Sequence, residues 1–291
     1  LYLLLGYVSW QSQTPLWSFL AISLAIFFVT VWLYLQLEAS GRQIGIATLL
    51  LGALLFRLIG VFSLPLLEDD YFRYLWDGYL FATTGSPYGV PPSDYFLDDS
   101  LSASWQNILG NINHPDIATI YAPALQYSFL LGHWLAPGSI TALQALYALL
   151  DLALVLLLLQ LAPANRVMLY AWSPLVVKEI AFTAHPDGFG ILLLMLSLVL
   201  LHRRQAVAAA LALAVAVCAK LFAWLFVPFI LYRCHWRARL LFGVSVLLLY
   251  LPFLLQQGSD MPGLGSFVRE WEFNSALYGL LSAGFSADIA R

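Results

Sequence analysis

Charge is scarce in this sequence. Asp, Glu, Lys and Arg make up 10% of its 291 residues. A soluble domain carries roughly 25%. A soluble fold of this length would lack the polar side chains to cover its surface. Lysine is nearly missing, with Lys178 and Lys220 the only two. The net charge is −3, with no basic run and no interleaved basic–aromatic patch. That excludes nucleic acid as a partner. Cysteine is limited to Cys218 and Cys234, which lie in or beside apolar runs without metal-ligand spacing. Both read as free thiols.

What the chain has in abundance is apolar surface. Hydrophobic residues account for 62% of it, and the mean hydropathy is +0.83. Lipid takes the place of water around such faces. A span needs about 20 mostly apolar residues. Segments 16–37, 44–64, 140–161 and 240–255 meet that need, and 120–135, 167–184, 189–201 and 206–232 are less regular candidates. The expected fold is an all-α, polytopic transmembrane helical bundle of about 8–10 spans or half-spans. Residues 1–291 read as a single transmembrane domain, with 65–119 as its first large outer loop. The chain begins at Leu1 inside an apolar run without methionine and stops at Arg291, so it reads as an incomplete chain. Residues 1–8 are too short to span and lack the basic flank of a signal peptide.

Basic residues orient the bundle. Arg42, Arg166, His202-Arg203-Arg204, Arg233, Arg237 and Arg239 sit in short loops, which the positive-inside rule places in the cytoplasm. The stretch from Glu68 to Asp116 holds eight of the 16 acidic residues and only Arg73 as Lys or Arg, so it is expected outside. The 27-residue run 206–232 is long for one helix and has Lys220 near its middle. Two half-helices with Lys220 near the outer turn fit it best. The number of crossings between 120 and 166 stays open.

In the outer loop, Phe72, Leu75, Trp76 and Tyr79 follow i, i+3, i+4, i+7 spacing. This predicts an amphipathic helix from about Asp70 to Ala82, with Asp70, Arg73 and Asp77 on another face. It is expected to lie along the membrane surface, its aromatics among the headgroups. Gly85 would stop it, and Ser86-Pro87-Tyr88 would turn. Glu68, Asp69 and Asp70 precede it. Capping the helix explains one acid. Three in a row repel one another. Such a cluster at a membrane face points instead to a general base, a metal or a cation pathway.

The run Asp69-Asp70-Tyr71-Phe72-Arg73-Tyr74-Leu75-Trp76-Asp77-Gly78, with Gly85-Ser86-Pro87-Tyr88, resembles the first outer loop of GT-C type integral-membrane glycosyltransferases. It is closest to the bacterial mannosyltransferase-like group. Asn113-His114-Pro115-Asp116 and Thr119-Ile120-Tyr121-Ala122-Pro123 resemble that loop's return to the membrane. Lys178-Glu179 with His185-Pro186-Asp187-Gly188 resembles a later outer turn, and Lys220 a later lysine.

The resemblance implies an inverting hexosyltransferase in the bacterial cytoplasmic membrane, with its active site on the outer face. The implied donor is a polyprenyl-phosphate sugar, with mannose the commonest of the group. The acceptor, a glycan, lipid or protein, is left open. A first-loop acid would be the general base: Asp69, with Asp70 as helper or alternate. Glu68, Arg73, Asp77, His114, Lys178, His185, Asp187 and Lys220 are the candidate substrate-binding residues. The leaving phosphate gains charge and needs a fixed cation or a metal. Arg73, Lys178, His185 and Lys220 are candidates for the former. Asp69 and Asp70 are candidate ligands of a divalent cation, Mg or Mn. Trp271-Glu272-Phe273-Asn274, after a second outer loop, are further candidates for substrate contact. The competing reading is a transporter or lipid flippase, kept open by Arg57 and Asp151 inside predicted spans.

Overall fold

A computed structural model describes residues 1–11, 15–270 and 279. Among these there is no strand. The helices are α1 (Tyr2–Ser9), α2 (Leu16–Ala39), α3 (Ile46–Val61), α4 (Tyr71–Thr84), α5 (Ala103–Gly110), α6 (Pro123–Leu135) and α7 (Ile140–Leu158). They continue with α8 (Ala164–Ala171), α9 (Pro174–Val177), α10 (Asp187–His202), α11 (Ala206–Val217), α12 (Val227–Tyr232), α13 (Trp236–Leu254) and α14 (Met261–Glu270). The all-α polytopic bundle read from hydropathy is the fold observed.

Among the described residues, three helices, α2, α7 and α13, are long and apolar enough to cross a membrane alone. Shorter apolar helices, α3 and α11 among them, stand beside these. Residues Pro174–Phe182 and α10 form a pair bent by 112°. The chain at Lys178–Phe182 widens into a π-turn, and Ala184 after it takes a left-handed φ of 55°. Run 206–232 breaks at Lys220, whose backbone is extended. The two-piece reading of that run therefore holds. Tight turns over Leu221–Phe226 lead on into α12.

Segment 120–135 departs from expectation. It forms α6, whose two ends both meet first-loop residues. Tyr88 Oη bonds the Tyr121 carbonyl just before it at 2.8 Å. Gly138, just past it, lies against Trp105 and Ile108 of α5. So α6 does not carry the chain across, and α7 makes the one crossing between the first loop and Arg166. At the opposite end of the bundle, Asn165 bonds Glu38 and the Arg42 carbonyl, and Arg203 bonds Gln160. The loops bearing Arg42, Arg166 and Arg203 thus share one end.

Helix α4 differs too. Its expected lipid-facing aromatics pack into protein. Trp76 and Tyr74 are fully buried, and Tyr74 stacks on Phe129 of α6 at 4.9 Å. Gly78 permits the closest approach, since a Cβ there would come within 2.6 Å of the Phe129 carbonyl oxygen. Asp77, expected on a polar face, is 1% exposed. A helix covered on both sides hides its polar stripe along with its apolar one.

The charges inside the predicted spans are paired. Arg57 Nη2 lies 2.5 Å from Asp151 Oδ2, and Arg57 also donates to the Ala53 and Ala171 carbonyls. Tyr170 donates to Asp151 at 2.5 Å. This buried latch ties α3, α7 and α8 together. Cys218 and Cys234 are free thiols, both buried.

Candidate functional site

The acidic run sits where the chain turns from α3 into α4. Leu67 has a left-handed φ of 57°, which swings Glu68, Asp69 and Asp70 around the start of α4. Asp70 occupies the N-cap position but makes no capping hydrogen bond with its side chain. Capping therefore does not account for these acids. Asp69 is exposed and accepts a short hydrogen bond from Asn113. Asp70, one residue on and half-buried, lines a cavity of about 230 Å³.

That cavity has three walls. Asp70 and Arg73 form the first. Irregular chain over residues 113–121 forms the second, with His114, Ile117, Ala118, Thr119 and Tyr121 lining it. The third is built from two helix breaks, which bring in His185 and Lys220. The π-turn and the kink at Ala184 expose His185, whose N–H bonds the Glu179 carbonyl at 2.8 Å. Lys220 reaches in from the break after α11. Its stem crosses Gly190, where a Cβ would stand 2.9 Å from Lys220 Cγ.

Asp187, at the start of α10, joins the two cations. It contacts His185 Nδ1, and its other oxygen lies 2.6 Å from Lys220 Nζ. Lys220 Nζ also stands 5.9 Å from the centre of the Tyr121 ring. The wall opposite Asp70 is therefore cationic but already paired with a carboxylate.

Burial pushes the Asp70 carboxyl above its ordinary value, opposed by His185 and reinforced by Asp69. Burial also raises Glu68, with Asp70 adding to the effect. Raised carboxyls are stronger bases near neutral pH. One carboxylate oxygen from each of Glu68, Asp69 and Asp70 lies within 4.8 Å of the others. Hard oxygen donors at this spacing suit Mg or Mn, so these three residues fit a divalent cation.

Other candidates fall elsewhere. Lys178 is 7% exposed and pairs with Glu179 at 3.0 Å. It lines a separate cleft against Phe19 and Leu24 of α2, and its charge reaches Glu68 from there. Asp77 lies behind the cavity wall, where Thr119 Oγ1 and Gln126 Nε2 donate to it at 2.5 Å and 2.8 Å. Burial raises its carboxyl to about 6. Arg73 donates to the carbonyls of Ile117, Asn113 and His114 at 3.0, 3.3 and 2.9 Å. Residues 271–274 lie outside the described residues.

Sequence reasoning named no role for Asn113, Thr119 or Gln126. Gln126 carried a faint signal as a lone amide in an apolar run. It also missed Asp260, which follows α13 and is 4% exposed with Tyr250 Oη at 3.3 Å. Nearby, Gln256 bonds the Gly85 carbonyl at 3.3 Å. Gly263 of α14 sits directly on the backbone of Ala118 and Thr119.

Residues 94–271 match the family model of glycosyltransferase family 87. The chain belongs to that family. The match takes in the 113–121 wall, His185, Asp187 and Lys220 of this glycosyltransferase, and begins after its acidic run. No curated protein and no solved structure matches the chain. Its apolar helices and its family together make it a membrane glycosyltransferase.

Proposed function

We propose that this glycosyltransferase moves a monosaccharide, mannose, from a polyprenyl-phosphate donor to a glycan, lipid or protein acceptor, with inversion. The observation that carries the reading is Asp70 facing Lys220 and His185 across one cavity. In this scheme the acceptor hydroxyl oxygen attacks the anomeric carbon, and its proton passes to Asp70. The bond from that carbon to the phosphate oxygen breaks, and the electron pair leaves on the phosphate. A hydroxyl is a poor nucleophile until a positioned carboxylate takes its proton. The leaving phosphate gains charge, which fixed cations stabilise. Lys220 and His185 are the groups placed for that task.

Asp70 is favoured over Asp69 as the base because it lines the cavity, whereas Asp69 is turned to Asn113. Were a divalent cation bound, Glu68, Asp69 and Asp70 would hold it, and it would neutralise phosphate charge. The scarcity of Lys and Arg around the cavity loop, against the arginines gathered at the other end, supports an outer-face site. The bacterial cytoplasmic membrane is the compartment this reading implies.

The test is a screen of purified protein against several polyprenyl-phosphate sugars and acceptors, run beside Asp70→Asn. Transfer is expected from polyprenyl-phosphate mannose, falling by about 10²–10⁴-fold in the variant, the usual contribution of a general base. Wild-type rates in a folded Asp70→Asn protein would sink the assignment.

A further inference from the structure

Asp69, Arg73 and Asp77 follow one another at four-residue spacing; Arg73 and Asp77 share one side of α4, and Asp69 lies in the chain just before its N-cap. Their contacts run in the same order along the facing wall. Asp69 takes Asn113, Arg73 takes the carbonyls of Asn113, His114 and Ile117, and Asp77 takes Thr119. We infer that these three are positioning residues, a stripe that fixes the 113–121 wall at a set distance from Asp70. The inference rests on the glycosyl-transfer reading given above.

Three features support it. The wall is irregular chain, so its carbonyls find few partners within their own segment. Arg73 supplies a rigid fork of donors to three of them at once. His114 holds a left-handed φ of 49°, a conformation uncommon outside glycine that surrounding structure must enforce. Both terminal nitrogens of Arg73 are engaged with carbonyls, and Asp77 lies one turn further along α4. Its donors are thus engaged with the wall, while His185 and Lys220, from other elements, face Asp70 across the cavity. Asp70, at the N-cap between Asp69 and the helix, lines the cavity instead.

The charged groups around Asp70 are Asp69, Arg73, His185 and Lys220, with Glu68 alongside. Burial is the main cause of its raised carboxyl, and Asp69 adds to it. A positioning Asp69 is served by an amide that still accepts from Asn113, whereas a catalytic base is not.

The test pairs two measurements on detergent-purified protein. Amide hydrogen exchange over residues 113–121 is expected to quicken by about tenfold or more in Asp69→Ala and Arg73→Lys, the loss of one or two hydrogen bonds. Asp69→Asn, whose amide oxygen still accepts from Asn113, is expected to restore slow exchange. With polyprenyl-phosphate mannose as the probe, Asp69→Asn is expected to lose less transfer than Asp69→Ala, a rescue that follows the Asn113 contact. Unchanged exchange in both Asp69→Ala and Arg73→Lys would overturn the stripe. So would an Asp69→Asn protein as inactive as Asp70→Asn. Full transfer by Asp70→Asn would instead remove the base assignment and leave the exchange result standing.

Discussion

Asp77 shows how burial changes what a carboxylate does. It has no cation within ion-pair distance among the described residues, and Thr119 and Gln126 hold it. Burial raises it from 3.8 to about 6. The folded protein therefore keeps a proton over that window which the unfolded chain has lost. Its contribution to stability is greatest below about pH 4 and declines by about 3 kcal/mol as pH rises past 6. Asp77→Asn should remove this dependence. The difference in melting temperature between variant and wild type is then expected to grow in the variant's favour from pH 4 to 7. A constant difference would mean that Asp77 stays ionised throughout. The sequence marked Asp77 as functional from charge and motif alone. It could not tell an acid that touches substrate from one that fixes a wall, because the partners lie more than 40 residues away. Arg73 carried the same ambiguity. A guanidinium bonds carbonyls as readily as phosphates, and only the fold decides between them.

Among the elements, α4 was legible and its surroundings were not. Period 3.6 gave its extent to within two residues at either end. Periodicity reports which face is apolar, not whether lipid or protein covers it. Trp76 therefore read as a headgroup anchor and proved to be core. Segment 120–135 misled for a related reason. Its apolar run is nearly long enough to span, and only the contacts at Tyr121 and Gly138 show it returning to the first loop. The convergence of His185 and Lys220 was hidden for another reason. It depends on two helix breaks 35 residues apart in sequence. The second outer loop closes against the first in a similar way. A Cβ on Gly263 would come within 2.7 Å of the Thr119 carbonyl oxygen, a contact that backbone must move to relieve. Gly263→Val is expected to lift α14 from the wall and to expose it to limited proteolysis, while the bundle's melting temperature stays within a few degrees. Unaltered cleavage would show that α14 bears no close packing there.

For the whole molecule, the Arg57–Asp151 pair is the principal polar tie inside the spans. Both residues are almost fully buried, so removing one leaves the other charged and unpaired. Arg57→Leu is expected to cost about 3–5 kcal/mol, whereas Arg57→Leu with Asp151→Leu should recover most of that. Thermal unfolding in detergent measures both. A double variant as unstable as the single one would point to Tyr170 and the bonded carbonyls as the larger part of the tie. The polar residues read as a transport pathway thus form a closed latch, and the chemically able groups gather at one end of the bundle. There Lys220 and Asp187, delivered by separate broken helices, meet at 2.6 Å. The site is in this sense its own counterion. In the proposed reaction, an arriving anionic donor would exchange with this resident carboxylate instead of meeting a bare ammonium. For the donor proposed above, such an exchange would weaken the hold on the spent phosphate and favour its release over tight retention.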